Sequence, residues 1–81
     1  MFTITFHLFA YPREKLNKST IIHTFTTGLT ISQLIVYLSK EYPNIPFERY
    51  RYAISQTYIK DLERVCDTDT DIYIIPPISG G

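Results

Sequence analysis

The 81-residue sequence predicts an α+β roll, with one main helix laid across one face of a mixed sheet of four to five strands. Three observations carry that prediction. The first and last strand-like segments hold the strongest apolar runs, which fits a central parallel pair. Between them lies one long stretch with helical periodicity, residues 30–42. The other segments are short, β-branched or aromatic, and separated by turn residues.

Residues 2–10 alternate with period two. Phe2, Ile4, Phe6 and Leu8 share the face expected to meet the core, and Thr3, Thr5, His7 and Phe9 share the other. Phe9 is thus a large apolar residue at the end of a polar face. His7 reads as a solvated strand histidine, because no second metal ligand stands at useful spacing, and His23 reads the same way. Residues 11–18 have the character of one or two surface helical turns, with Pro12 in the first turn and Asn17 as a left-handed stop. Residues 19–26 form a second strand in which Ile21 and Ile22 compete for the buried face, and Thr27-Gly28 closes it.

The main helix opens at Thr30, whose hydroxyl and the Gln33 amide can satisfy each other's backbone N–H groups as a capping box. Ile31, Leu34, Ile35 and Leu38 follow at helical spacing as a stripe to be packed on the sheet, with Val36 and Tyr37 off it. Pro43 stops the helix near Glu41 or Tyr42. Residues 44–47 read as a turn, and residues 49–52 lead into a third strand, Ala53-Ile54-Ser55. Gln56-Thr57 bends into a short fourth strand, Tyr58-Ile59. Residues 61–65 read as loop or a single turn. Asp67, Asp69 and Asp71 alternate as in a calcium loop, but the Gly and Glu that such a loop needs are missing, so this is a polar turn. Ile72-Tyr73-Ile74-Ile75 is the last, buried strand. This order is that of a ubiquitin-like, β-grasp roll.

Composition narrows the function. Eight basic residues balance eight acidic ones, which leaves no electrostatic footprint for nucleic acid or an anionic membrane. The Arg/Tyr alternation at residues 49–52 is accordingly a solvated strand face and not a base-stacking surface. Cys66 has no internal disulfide partner and reads as a small buried hydrophobe. With neither a long apolar run nor a signal peptide, the expected compartment is cytoplasmic. No acid, base or metal-ligand cluster stands out, and no bound cofactor is expected.

The C-terminal segment is the most informative. Residues 1–75 are expected to form the domain, and Pro76-Pro77-Ile78-Ser79-Gly80-Gly81 a flexible tail. Two prolines end the strand's hydrogen-bonding and hold the exit stiff and extended. Two glycines then present a terminus thin enough to thread a slot in another protein, ending in a carboxylate.

With that tail, the chain resembles the small subunit of molybdopterin synthase, a sulfur carrier related to those of thiamin biosynthesis. The resemblance rests on Leu8-Phe9-Ala10 with Arg13-Glu14, the Thr30 helix, Tyr52-Ala53-Ile54 with Gln56, and the run from Ile74 to Gly81. Three positions depart from the family's habit: Ser55 stands where Asn is usual, Asp69 where Gly is usual, and Asn17 where Gly is common. The resemblance implies that an adenylyltransferase of the ubiquitin-activating type uses ATP to adenylate Gly81, which then becomes a thiocarboxylate. Inserted into the large, catalytic synthase subunit, the thiocarboxylate donates sulfur to cyclic pyranopterin monophosphate. Gly81 is the only reacting residue so implied, in a non-catalytic sulfur-donor subunit. Phe9, Ile75 and Tyr58 match partner-contacting positions of the family, and Tyr73 and Arg13 join them as candidates. The same tail and fold would also suit a sulfur carrier of another pathway, or a modifier conjugated to proteins through Gly81.

Overall fold

The computed structural model describes residues 1–77, and the tail positions 78–81 lie outside the described residues. Strand β1 (Phe2–Leu8) is followed by helix α1 (Ala10–Leu16), strands β2 (Thr20–Phe25) and β3 (Leu29–Thr30), and helix α2 (Ile31–Glu41). Then come β4 (Arg51–Ile54), β5 (Thr57–Tyr58), β6 (Val65–Cys66) and β7 (Thr70–Ile75). Five strands form one sheet in the order β2-β1-β7-β4-β5, with β1 and β7 parallel at its centre and every other neighbour antiparallel. The expected roll is present, with its central parallel pair.

Alternation decides what the sheet buries. Phe2, Ile4, Phe6 and Leu8 of β1 are all buried, and Ile72 and Ile74 of β7 join them. Across this face lies α2, whose Ile31, Leu34 and Leu38 complete the core, with Ile35 half-buried beside them. Each fully buried side chain of this size contributes roughly 1.5–3 kcal/mol. Register settles the Ile21/Ile22 conflict: Ile21 stands opposite Phe6 and is buried, while Ile22 points the other way and is exposed.

The helix cap forms as expected. The Thr30 Oγ1 accepts from the Gln33 backbone N–H at 3.1 Å, and the Thr30 backbone N–H donates to Gln33 Oε1 at 2.9 Å. Two more N–H groups of the first turn donate outside the helix, Ile31 to the Arg64 carbonyl (3.1 Å) and Ser32 to the Leu62 carbonyl (2.9 Å). Asn17 stops α1 in the left-handed region at φ 55°, a conformation that Asn tolerates.

Several local expectations need correction, among them the solvated Arg/Tyr face, since Tyr52 is buried. Residues 61–65 are not simply loop, since Val65 and Cys66 pair with Leu29 and Thr30 in a separate two-stranded ladder. Gly28 permits that approach, because a Cβ there would lie 3.1 Å from Val65 Cγ1 and 3.2 Å from Asp67 Cβ. The turn after α2 runs into a 3₁₀ turn, Phe47–Arg49, which plants Phe47 in the core and receives the Tyr52 hydroxyl on the Phe47 carbonyl at 2.7 Å. α1 is not purely a surface turn, for Pro12 is fully buried. His23 is not simply solvated: Tyr42 and Tyr37 hydroxyls hold its Nε2 and Nδ1 at 2.8 and 2.9 Å. Burial lowers the His23 pKa below its usual range, against the raising effect of Glu41.

Candidate functional site

Strand β7 leads straight into Pro76-Pro77, so whatever surrounds its end frames the exit of the tail. The side of the sheet opposite α2 supplies that frame. On β7, Tyr73 and Ile75 point to this side and are half-buried, in register with Ala53 and Arg51 of β4. The parallel register with β1 places His7 beside Tyr73, and their rings stack at 4.2 Å with planes 10° apart. Phe9 lies one residue beyond β1 and just before α1, not within the strand as its alternation implies. Its ring nevertheless reaches Tyr73, at 6.3 Å and 20°.

The opposite flank is built by the β4–β5 hairpin. Ser55 and Gln56 both take left-handed backbone, at φ 52° and 64°, as a tight two-residue hairpin turn requires. That turn sets Tyr58 against Ala53, with the Arg51 guanidinium 5.8 Å from the Tyr58 ring centre. Ala53, small and buried, forms the floor between Tyr73 and Tyr58. The result is an open groove of about 1180 Å³ edged by Phe9, Tyr58, Tyr73, Ile75 and Pro76.

Of the sequence-predicted partner residues, the structure brings Phe9, Tyr58, Tyr73 and Ile75 onto this one groove. Arg13 stands apart: it is exposed on α1, and no described contact joins it to the aromatic group. Pro76 edges the groove and Pro77 is exposed, while Ile78, Ser79, Gly80 and Gly81 lie outside the described residues. Two residues of this face escaped the sequence reading. His7 Nε2 lies 2.9 Å from Asp71 Oδ1, a contact that links β1 to β7 beside the stacked Tyr73. Only the parallel register places those two strands side by side, and no local pattern encodes it.

Aromatic and aliphatic side chains line the groove on the Phe9, Tyr58, Tyr73 and Ile75 side, and a polar, mainly acidic stretch with Asp67, Asp69 and Asp71 lines the other. Among the described residues, no group of three His, Cys, Asp or Glu side chains is placed to hold a metal. Cys66 is buried and its thiol pKa is pushed up by that burial, the opposite of an activated nucleophile. No described helix is long and apolar enough to cross a membrane. The arrangement is an open groove beside a strand exit.

Comparison with known proteins agrees over nearly the whole chain. The model of the ThiS family matches residues 6–81. Among solved structures, a putative molybdopterin converting factor subunit 1 from Pyrococcus furiosus aligns with TM-score 0.80 and 13% identity, covering 96% of this chain and 100% of that one. SAMP1 of Haloferax volcanii aligns with TM-score 0.74 and 16% identity, over 98% and 99% of the two chains. The small archaeal modifier protein 1 of Methanosarcina acetivorans gives 0.75 and 19%, over 100% and 98%. At such identities these structures speak for the fold, which is the ubiquitin-like β-grasp.

Proposed function

Because the chain belongs to the ThiS family, we propose that it is the sulfur-carrier subunit of a molybdopterin synthase, with Gly81 as its reacting residue. A terminal carboxylate is ionised at neutral pH and is a poor electrophile. An activating enzyme of the ubiquitin-activating type joins the Gly81 carboxylate to AMP from ATP, releasing pyrophosphate. Sulfide-level sulfur from a donor outside this chain then attacks the Gly81 carbonyl carbon and AMP leaves, giving a thiocarboxylate that the large synthase subunit uses on cyclic pyranopterin monophosphate. The pterin pocket belongs to that partner.

The observation that carries this reading is the continuity of β7 with Pro76-Pro77-Ile78-Ser79-Gly80-Gly81, beside a groove edged by Phe9, Tyr58, Tyr73 and Ile75. A fixed strand, a stiff spacer and an apolar docking face are what a partner needs to receive a tail in one orientation. The likeness to the Pyrococcus molybdopterin converting factor subunit supports the choice of pathway. The likeness to two small archaeal modifier proteins favours a second reading, conjugation to other proteins through Gly81.

Mass spectrometry of the protein isolated from its own cells separates the two. A mass gain equal to exchanging one oxygen for sulfur at Gly81 is expected, and deleting Gly81 should abolish sulfur transfer while leaving thermal stability unchanged. Gly81 found in amide linkage to lysines, with no thiocarboxylate, would replace the first reading by the second.

A further inference from the structure

The two edges of the sheet are protected very differently. At one edge, β5 is only two residues long and is followed by Ile59 and then the charged Lys60 and Asp61, so it offers little backbone for pairing. At the other, β2 runs for six residues, Thr20-Ile21-Ile22-His23-Thr24-Phe25, without Lys, Arg, Asp, Glu, Pro or Gly. It has none of the charges, prolines or bulges that keep an exposed edge from pairing. Its polar groups on that edge can be assigned. Leu8 N–H donates to the Ser19 carbonyl, and the antiparallel register then turns Ile21, His23 and Phe25 toward β1. Thr20, Ile22 and Thr24 are left with N–H and C=O groups directed outward, and no described residue pairs with them.

We propose that the β2 edge is a self-association surface, on which a second copy of this chain adds its own β2 in antiparallel orientation about Ile22. The segment is its own complement. Centring on Ile22 makes Ile22 face its copy and Thr20 face Thr24 of the copy, each as a hydrogen-bonded pair. Three such pairs use every outward group from Thr20 to Thr24. Ile22, 63% exposed on the side away from α2, meets its equivalent there, and Thr–Thr neighbours flank it. The strand carries no formal charge and the chain as a whole is neutral, so two copies do not repel.

Pairing joins the two sheets into one of ten strands. The two β7 strands then lie about 24 Å apart and run in opposite directions, so the ends of both β7 strands and both grooves stay clear of the seam. One strand pair buries much less than a standard interface, which makes the dimer weak and reversible.

Sedimentation velocity of the full chain from micromolar to millimolar concentration tests this. Wild type is expected to move from monomer to dimer across that range. Ile22→Lys, which places two like charges face to face on an exposed position, should raise the dissociation constant by at least about tenfold with an unchanged melting temperature. Ile22→Glu should do the same, and an equimolar mixture of the two variants should associate again. A wild type that stays monomeric at millimolar concentration overturns the proposal, as does Ile22→Lys that associates as well as wild type. A monomeric wild type whose binding to the activating enzyme falls on Ile22→Lys also overturns it, and assigns the edge to that enzyme.

Discussion

On strand β7, Ile72 and Ile74 are 1% and 0% exposed, whereas Tyr73 and Ile75 between and beyond them stay half-open on the other side of the sheet. The chemistry of the two sets is alike, and the difference lies in the layer above them. α2 covers the first set, and among the described residues no helix covers the second. Burial on the α2 side therefore works for stability, while the apolar surface left on the other side is available to a partner. A domain of this size has material for one core, so its second sheet face is free for recognition.

The sharpest way to break this comparison is to make one truncation on each side. Phe6→Ala opens a cavity under α2 and should cost about 3–5 kcal/mol of stability in urea denaturation, near the whole stability of a small domain. A loss no greater than that from Ile75→Ala would show that the two faces are not distinct.

Charge on the open side should act on binding instead. Ile75→Lys or Phe9→Lys is expected to weaken docking to the large subunit by about 2–3 kcal/mol in calorimetric titration, with the melting temperature held. An unfolded variant would mean that the side chain belongs to the core after all.

The exit comes next. Replacing Pro76 and Pro77 together by Gly frees two residues that must be ordered in the partner's slot, at about 1–2 kcal/mol of affinity. Replacing both by Ala should cost less, and equal affinities for all three forms would leave the prolines as strand terminators only.

A smaller effect is expected at the hairpin that carries Tyr58. Gln56 holds a left-handed backbone that suits glycine, so Gln56→Gly should raise stability by about 0.5–1 kcal/mol by thermal unfolding. Destabilisation would show that the Gln56 side chain contributes more than its backbone costs.

The mildest test is pH. Burial lowers the folded pKa of His23 below the ordinary 6.5, against the raising effect of Glu41. The unfolded chain thus binds a proton first, so stability should decline as pH falls from 6.5 through the folded value. His23→Gln should flatten that slope, and an unaltered slope would place the acid sensitivity elsewhere.

Much of this was legible from sequence because it is local. Thr30 and Gln33 sit three residues apart, the reach of a capping box, and the even positions of β1 declare their face by alternation alone. Val65-Cys66 was not legible as a strand, because two residues carry no periodicity and their partners Thr30 and Leu29 stand 35 and 37 positions earlier. The same holds for His7, whose partners Asp71 and Tyr73 arrive only through the parallel register.

By itself the sequence determined the order of the two helices and of the five strands of the main sheet, the core face of β1, the cap of α2 and the Pro-Pro to Gly-Gly run after β7. Each follows from periodicity or from the backbone limits of single residues, which act over a few positions. Tertiary structure decided that Ile21 and not Ile22 is buried, that His23 is held by two tyrosines, and that Phe9, Tyr73 and Tyr58 share one groove. Those outcomes depend on which strands become neighbours and in what register, and pairing between distant segments is fixed only when the whole sheet closes on α2.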